Sequence, residues 1–256
     1  MYIFLQPCFI FARYIRKNIE LRMNLNPVKL KDIYCYSFSS KIDLIQEAIV
    51  EKKILISINA ETILNKDTKL QQIINNNIGH ADGIGAVWAL KIKGYKNTIK
   101  IPGVELWLDI ISKFESKKSF YLIGSTDNVI QKTVEKLKQN FPHINIVNYR
   151  NGFISNDEDK QLLKNDIIEK KPDIIFIAMG SPKQEYFANE LSMIHKAVYQ
   201  CIGGSFDVYS GKRKRAPRLF IILGLEWLYR LINEPKRIKR QHIIFKFLFY
   251  LIIRKI

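Results

Sequence analysis

Residues 174–207 read IIFIAMGSPKQEYFANELSMIHKAVYQCIGGSFD, and this stretch decides the fold class. Two continuous apolar runs, Ile174–Met179 and Ala197–Ile202, have the length and composition of buried strands. Between them, Pro182–Leu191 has a helical pattern that opens on a proline, which suits the first position of a helix. A strand, a helix and a second strand within about thirty residues predict a βαβ unit with parallel strands.

The same alternation extends along most of the chain. Further strands are predicted at Ile33–Phe38, Ile54–Ile58, Phe120–Ile123 and Ile144–Tyr149. Further helices are predicted after Ser40 and at Ala60–Asn76 (with a break near Asp67), Ile84–Lys93, Val104–Phe114, Asp127–Gln139 and Asp157–Lys170. This pattern predicts an α/β fold, with a mostly parallel, Rossmann-like sheet flanked by helices. A change of composition at Gly211 divides this α/β domain, residues 31–210, from a helical C-terminal appendage, residues 211–256.

The appendage carries most of the positive charge. It holds thirteen Lys or Arg and two Glu, a net charge of +11, whereas the whole chain carries +17. Such a concentration predicts an anionic partner: nucleic acid, lipid headgroups or a substrate with phosphates. Residues 219–232, an apolar run of one helix length, are too hydrophobic for a solvated nucleic-acid groove. A basic, aromatic-rich pair of helices fits an anionic membrane surface better, with about 1 kcal/mol from each Lys or Arg.

Both ends of the chain are hydrophobic. Residues 1–15 are interrupted by Pro7 and Arg13 and lack the features of a secretory signal. We expect residues 1–30 to be either an amphipathic lead-in or a start assigned too early, with Met23 as the alternative. Residues 243–253 would form a helix of about 16 Å, too short for a hydrocarbon core of about 30 Å. This segment is expected to lie in a membrane interface without crossing it.

Polar loops follow the predicted strands, and most contain glycine. They begin at Asn59, Gly124, Asn151, Gly180 and Gly203. Ligands of open α/β sheets bind beyond the carboxyl ends of the strands, and glycine lets the backbone approach a ligand closely. Together these loops predict a nucleotide-sized pocket.

The run Asp82-Gly83-Ile84-Gly85 precedes a predicted helix, whose free N–H groups favour an anion. Its glycines match the first two of a dinucleotide fingerprint. However, Trp88 stands at the third position and no clear strand precedes the run, which argues against an NAD site. Asp82 is therefore either a plain N-cap or a carboxylate with a chemical role.

Two further motifs leave alternatives open. In the run 180–185, Lys183 and Gln184 can reach a nucleotide, or the run is simply a well-formed helix start. The acidic triplet 157–159 either holds a divalent metal or supplies the negative first turn of a helix, and the second reading is favoured. The histidines show no ligand spacing, and three widely spaced cysteines form neither a disulfide framework nor a zinc cluster. No metal site is predicted.

An ordered set of short motifs resembles the WecG/TagA/CpsF glycosyltransferases, the bacterial glycosyltransferase family 26. The matching stretches are Ser57-Ile58-Asn59-Ala60-Glu61, Ala81-Asp82-Gly83-Ile84-Gly85, residues 100–106 (KIPGVEL), Asn151-Gly152-Phe153, residues 180–185 (GSPKQE), residues 203–207 (GGSFD), Arg215-Ala216-Pro217, residues 224–231 (GLEWLYRL) and residues 234–237 (EPKR). They keep their order over roughly residues 33–240, and the set as a whole is far more specific than any member of it.

The resemblance implies an inverting hexosyltransferase. Such an enzyme moves a sugar, here of the N-acetylmannosamine type, from a UDP-sugar to an undecaprenyl-diphosphate-linked sugar in teichoic acid or cell-surface polysaccharide synthesis. It also implies catalysis without a cofactor or metal, although magnesium stays open. The expected location is cytoplasmic and peripheral, on the inner face of the bacterial plasma membrane, with the appendage docked on the membrane and closed over the catalytic domain.

The resemblance also assigns roles to residues. Asp82 takes the position of the general base, and Ser57 and Asn59 match positions that line the sugar and base site. Substrate binding is further expected of Gly83, Gly85, Gly124, Asn151, Gly180, Lys183, Gln184, Glu185, Gly203, Gly204 and Asp207. Contacts with the lipid diphosphate are expected of Arg215, Arg230, Arg237 and Arg240. The chain departs from the family by Ser57, often Thr, and by His80-Ala81, often Thr-Pro.

A second function class remains at this point: a non-enzymatic α/β adaptor that binds anionic membrane or nucleic acid. It accounts for the charge of the appendage but not for the polar loops or Asp82. UDP binding separates the two classes, and the transferase class carries the expectation of no nucleic-acid partner.

Overall fold

The structure, a computed structural model, describes residues 26–233 and 238–256. Its strands are β1 (Val28–Leu30), β2 (Ile33–Cys35), β3 (Ile54–Ile58), β4 (Ile78–Ala81), β5 (Ser119–Gly124), β6 (Asn145–Arg150), β7 (Ile174–Ala178) and β8 (Val198–Cys201). Its helices are α1 (Lys41–Glu51), α2 (Ala60–Ile63), α3 (Thr68–Asn75), α4 (Ile84–Ile92), α5 (Gly103–Phe114), α6 (Asp127–Asn140), α7 (Asp157–Lys170), α8 (Lys183–Ile194), α9 (Ser205–Tyr209), α10 (Arg218–Ile222), α11 (Glu226–Asn233) and α12 (Ile238–Ile252).

The central sheet is parallel throughout. Six strands are ordered β4-β3-β8-β7-β5-β6, and β1 and β2 form a separate antiparallel hairpin. Strand β7 is buried along its whole length, as its continuous apolar run predicts. Helices pack on both faces of the sheet; on one of them Trp107 of α5 makes edge-to-face contacts with Phe176 and Phe206. The predicted α/β class with a parallel sheet is confirmed.

The break predicted near Asp67 is also found. Helix α2 ends at Ile63, and α3 begins at Thr68 with Asp67 as its N-cap. The Asp67 carboxylate accepts a hydrogen bond from the backbone N–H of Leu70 at 3.1 Å. This cap supplies the acceptor that a new helix start requires, so the predicted single span 60–76 holds two helices.

The sequence pattern does not reveal strand β4, and the prediction that no clear strand precedes Asp82 is wrong. β4 ends at Ala81, directly before Asp82. Gly79 lowers the strand propensity of this segment, but a Cβ there would lie 2.8 Å from the backbone oxygen of Tyr34. The Gly79 carbonyl instead accepts a hydrogen bond from Tyr36 N–H at 2.8 Å. Glycine is therefore needed for the close approach of the β2 end, which covers this edge of the sheet.

The appendage begins with two short helices. The apolar run 219–232 is not one helix, because Gly224 takes a φ of 71° between α10 and α11. A Cβ at Gly224 would lie 3.0 Å from the Ile84 side chain, so the turn packs directly on the first residue of α4. Residues 1–25 and 234–237, which include the predicted Arg237, lie outside the described residues.

The appendage is held on the α/β domain by a buried aromatic ring and by ion pairs. Phe247 of α12 is 1% exposed, and its ring lies 2.8 Å from where a Cβ of Gly85 would stand. Lys100 pairs with Glu226 of α11 at 2.8 Å, and both side chains are mostly buried. Large apolar side chains nevertheless remain exposed on the appendage: Leu219, Ile222, Leu223, Ile232, Phe245, Phe249, Ile252 and Ile253. Among the described helices, none is long and apolar enough to cross a bilayer.

His80 should make the stability of the fold pH-dependent. Burial lowers its pKa to about 4 from a usual value of 6.5. The unfolded chain therefore binds the extra proton between these two values. The stabilisation that rests on neutral His80 is complete above pH 6.5 and is lost as the pH falls toward 4.

We expect the drop in unfolding free energy between pH 7 and pH 4.5 to be about 2 kcal/mol smaller in His80→Leu than in the wild type. Denaturant unfolding at both pH values measures it. Carboxylates that also titrate in this range cancel in the difference between the two proteins. Equal pH dependence of the two proteins would contradict the assignment.

Gly85 should control how the appendage docks. In Gly85→Leu the new side chain occupies the space of the Phe247 ring, and overpacking of this kind costs about 1–3 kcal/mol. We expect faster amide exchange in residues 238–256, with unchanged exchange in the central sheet. Lys91→Leu, an exposed position on the same helix, is the matched control. Unaltered exchange in residues 238–256 of Gly85→Leu would show that this contact does not hold α12.

Candidate active site

A polar cavity lies at the carboxyl ends of β3, β4 and β8. It has a volume of about 530 Å³, and the basic run 212–215 closes it from the appendage side. The residues predicted for substrate or diphosphate binding that line it are Ser57, Asn59, Asp82, Gln184, Glu185, Gly203, Gly204 and Arg215. Loops from separate strands thus meet at one cavity, as expected for an open parallel sheet.

A second, apolar cavity lies between the α/β domain and the appendage. It has a volume of about 320 Å³, and its walls include Trp88, Trp227 and Phe247. Asn59, Asp82 and Glu226 line both cavities. The two spaces, one polar and basic and the other apolar, therefore meet at the Asp82 carboxylate.

Asp82 is held in place by the start of α5. Its Oδ1 atom accepts a hydrogen bond from the backbone N–H of Gly103 at 3.3 Å. A Cβ on Gly103 would lie 2.7 Å from the Ser57 hydroxyl, so the helix start comes this close because residue 103 has no side chain. The backbone N–H of Asp82 donates to the Ile58 carbonyl at 3.0 Å, which ties the residue to β3 as well. Asp82 is thus a carboxylate with a fixed orientation at the junction of the two cavities.

Asn59 combines a structural role with a place in both cavities. Its Oδ1 atom accepts hydrogen bonds from the backbone N–H of Thr62 at 3.0 Å and from the Thr62 hydroxyl at 3.2 Å. It therefore caps α2, and the part of the amide that it offers to a ligand is the NH2 group. A Cβ on Gly83 would stand 3.0 Å from the Asn59 side chain, so the loops after β3 and β4 pack tightly.

Gln184 links the start of α8 to the glycine turn after β8. Its Oε1 atom accepts a hydrogen bond from Gly203 N–H at 2.9 Å, and its Nε2 atom donates to Glu185 Oε1 at 2.9 Å. Both side chains are buried although they line the polar cavity. Burial raises the pKa of Glu185 above its ordinary value, although the hydrogen bond from Gln184 acts in the opposite direction.

The basic wall of the polar cavity is anchored on α5. The Arg215 guanidinium donates to Glu105 Oε1, and Lys41 bridges Glu105 and Asp109 at 3.0 and 2.8 Å. Burial would raise the pKa of Glu105, but hydrogen bonds from Arg215 and Lys41 outweigh it and hold the pKa below its usual value. Glu105 is thus an anion that positions Arg215, while Lys212, Arg213 and Lys214 also line the cavity.

Three predicted substrate-binding residues form a neighbouring group beyond the cavity. Asp207 accepts a hydrogen bond from the Ser125 hydroxyl at 2.9 Å and pairs with Lys212 at 3.5 Å. Asn151 donates to Asp127 at 2.8 Å. Gly124 has a φ of 143°, and a Cβ there would clash with the Ala178 carbonyl at 2.3 Å. These contacts join the loops after β5, β6 and β8 at the same edge of the sheet.

Other predicted residues lie apart from the polar cavity. Lys183 is exposed and borders a separate surface depression with Lys69 and Tyr186. Gly180 is exposed with a φ of 78°, which explains the glycine. Gly83 and Gly85 line the apolar cavity. Arg230 and Arg240 belong to α11 and α12, but their side chains, like the whole of Arg237, lie outside the described part of the chain.

The structure also shows residues of these cavities that were not predicted as substrate-binding or catalytic. Gly103 holds Asp82, Glu226 lines both cavities, and Tyr229 lines the polar one. All three lie within motifs quoted above, in residues 100–106 and 224–231. Membership of these motifs could therefore have indicated them as site residues, whereas their residue types alone could not.

The acidic triplet 157–159 forms the first turn of α7. Asp159 accepts two hydrogen bonds from the Arg150 guanidinium, at 2.9 and 3.0 Å, which with a backbone bond from Ser155 holds its pKa below the usual range. Within residues 26–233 and 238–256, no three His, Cys, Asp or Glu come together as a set that could hold a metal ion. In the described chain, the triplet stabilises a helix start and a neighbouring strand end.

A comparison with protein families identifies the chain. Residues 26–256 match the Glycosyl transferase WecG/TagA/CpsF family, and the match spans both the sheet and the appendage. The two cavities that meet at Asp82 thus belong to a transferase scaffold, and the resemblance inferred from the motifs is confirmed. The chain belongs to the WecG/TagA/CpsF family of glycosyltransferases, which act in cell-surface polysaccharide synthesis.

Proposed function

We propose that the protein transfers a sugar of the N-acetylmannosamine type from a UDP-sugar to an undecaprenyl-diphosphate-linked sugar, with inversion at the anomeric carbon. The observation that carries this proposal is the position of Asp82 between a polar, basic cavity and an apolar one. A nucleotide-sugar suits the first cavity, and a lipid-linked acceptor suits the second.

The polar cavity supports the donor assignment. Lys212, Arg213, Lys214 and Arg215 give it the positive charge that a departing diphosphate needs. The loops after β5 and β6, with Gly124 and Asn151, extend the same sheet edge beyond the cavity, and we assign the nucleobase and ribose to them. The sugar then lies toward Asp82, at the opposite end of the strand order.

The apolar cavity supports the acceptor assignment. Its walls come from both the α/β domain and the appendage, and Leu223 at its edge is exposed along with the outer residues of α10 and α12. An isoprenoid chain can therefore leave a membrane surface and enter the protein without crossing water. Its diphosphate then meets the basic side chains of the appendage.

The chemistry follows from this placement. Asp82 accepts the proton of the acceptor hydroxyl while that oxygen bonds to the anomeric carbon of the donor sugar. The bond from this carbon to the diphosphate oxygen breaks on the opposite face, so the configuration inverts, and the electron pair leaves with UDP. Protein cations stabilise the charge that develops on the diphosphate. In this proposal no step requires a metal, and magnesium remains a variable of the binding experiment.

The appendage supports a location at a membrane surface. Exposed Phe245 and Phe249 lie on α12 together with exposed Lys246, and exposed Arg254 and Lys255 follow this helix. Aromatic and basic side chains of this kind bind the headgroup region of anionic bilayers. Because the acceptor is lipid-linked, we propose a peripheral location on the inner face of the bacterial plasma membrane.

Asp82→Asn should remove catalysis but not nucleotide binding. The amide oxygen can still accept the Gly103 hydrogen bond, so the site keeps its shape while the base is lost. We expect kcat to fall about 10²- to 10⁴-fold in an assay with UDP-N-acetylmannosamine and polyprenyl-diphosphate-linked N-acetylglucosamine. Calorimetry with UDP, with and without magnesium, should give the same Kd as the wild type.

Asp32→Asn, an exposed position on the β1–β2 hairpin, controls for loss of a carboxylate elsewhere. Activity of Asp82→Asn within about twofold of this control would sink the base assignment. Absence of UDP binding by the wild type would count against the donor assignment itself.

Membrane binding should depend on the exposed aromatic side chains of α12. We expect Phe245→Ser combined with Phe249→Ser to lower the partition coefficient onto phosphatidylglycerol vesicles about 10- to 100-fold, because each ring loses its burial in the interface. Sedimentation with vesicles measures this.

Leu162→Ser combined with Met193→Ser removes exposed apolar side chains of α7 and α8 and serves as the matched control. If the α12 variant sediments like this control, the appendage is not the membrane anchor.

A further inference from the structure

Glu185 is a buried carboxyl group that the proposed chemistry does not use. It is 3% exposed and lines the polar cavity. Its Oε2 atom is buried and has no hydrogen-bond partner among the described residues, whereas its Oε1 atom accepts from Gln184 Nε2 at 2.9 Å. A buried oxygen without a hydrogen-bond partner destabilises the protein unless a ligand donates a hydrogen bond to it.

The surroundings of Glu185 define what could complete it. Ile56, Leu70 and Cys201 are all buried and line the same cavity, which therefore offers aliphatic surface as well as the Glu185 acceptor; we call these four side chains the floor of the cavity. A group that fits this floor has a single polar hydrogen beside a small apolar part. An acetamido group has this composition, because its N–H donates and its methyl packs against aliphatic side chains.

This floor belongs to the same cavity as Asp82, and so lies toward the sugar end of the proposed donor. The cavity that contains Glu185 also contains Asp82, where the anomeric carbon must lie for the proposed reaction. The loops with Gly124 and Asn151, to which the proposed function assigns the nucleobase, do not line it. A group next to the anomeric carbon, such as the substituent at the sugar 2-position, can therefore reach the floor.

We propose that Glu185 determines the donor specificity: its Oε2 atom accepts a hydrogen bond from the N–H of a 2-acetamido group, whose methyl packs against Ile56 and Leu70. This inference rests on the proposed function, since it requires a nucleotide-sugar in the polar cavity. Gln184 is the positioning residue, because its amide, fixed by Gly203 N–H, holds Oε1 and so turns Oε2 toward the ligand.

Glu185→Gln tests the proposal with almost no change of shape. Because Gln184 Nε2–H donates to the Oε1 position, the new amide keeps its oxygen there and turns its NH2 group toward the cavity. The cavity then presents a hydrogen-bond donor at the position of Oε2. This donor faces the N–H donor of the substrate, so no hydrogen bond forms between them. We expect KM for UDP-N-acetylmannosamine to rise about tenfold or more, with the Kd for UDP changed by less than about twofold.

Glu190→Gln, on the same helix but paired with Lys160 and Lys164 outside the cavity, is the matched control. The wild type provides a second measurement without any substitution. We expect it to bind UDP-N-acetylmannosamine about tenfold or more tightly than UDP-mannose, which has a hydroxyl at the 2-position, and we expect Glu185→Gln to narrow this ratio.

The outcomes are distinguishable. Parallel loss of affinity for UDP and for both UDP-sugars in Glu185→Gln, with a lower melting temperature, would mean that Glu185 only supports the fold and would overturn the proposal. An unchanged preference between the two UDP-sugars would overturn it as well. If the wild type binds no UDP, the proposed function fails, and the inference about Glu185 fails with it.

Discussion

The hydrogen bond from Gly103 N–H to Asp82 Oδ1 is the contact on which the site depends. It joins the end of β4 to the start of α5 across the carboxyl edge of the sheet. The contact requires a residue without a side chain, because the Ser57 hydroxyl occupies the space where a Cβ would stand. With the carboxylate fixed there, the polar cavity forms on one side of it and the apolar cavity on the other. The donor and the acceptor of the proposed reaction can then both reach the Asp82 carboxylate.

The appendage completes this arrangement and is coupled to it by close contacts. Gly85 allows the Phe247 ring to approach more closely than a side chain at that position would permit, and Gly224 packs closely on Ile84. Lys100 also forms an ion pair with Glu226. Glu105, at the start of α5, also holds Arg215. The helix that orients Asp82 therefore also positions part of the cationic wall. The contacts that dock the appendage therefore also build part of the candidate site.

Much of the fold follows from sequence pattern, but the contacts that build the site do not. Continuous apolar runs identified β3, β7 and β8, and Asp67 marked the helix break, because burial and capping leave local signals. Strand β4 left no such local signal, because its Gly79 is needed for a close contact with Tyr34, a residue distant in the sequence. The motifs located Asp82, Asn59 and Gln184 in one cavity. They could not show that Gly85 faces an aromatic ring or that Lys183 lies on a separate surface, because side-chain direction depends on tertiary packing.

Under the proposed function, the separation of polar and apolar space at Asp82 also explains why the α/β domain needs a basic, hydrophobic appendage. A polyprenyl diphosphate has a charged head and an insoluble tail, and no single solvent environment suits both. A cavity that is apolar toward the appendage and cationic toward the sheet provides both environments within one site. The α/β domain alone could supply the base and the donor loops, but the cationic wall and the outer half of the apolar cavity come from residues 212–256. The proposed reaction on a lipid-linked acceptor therefore requires the two parts together.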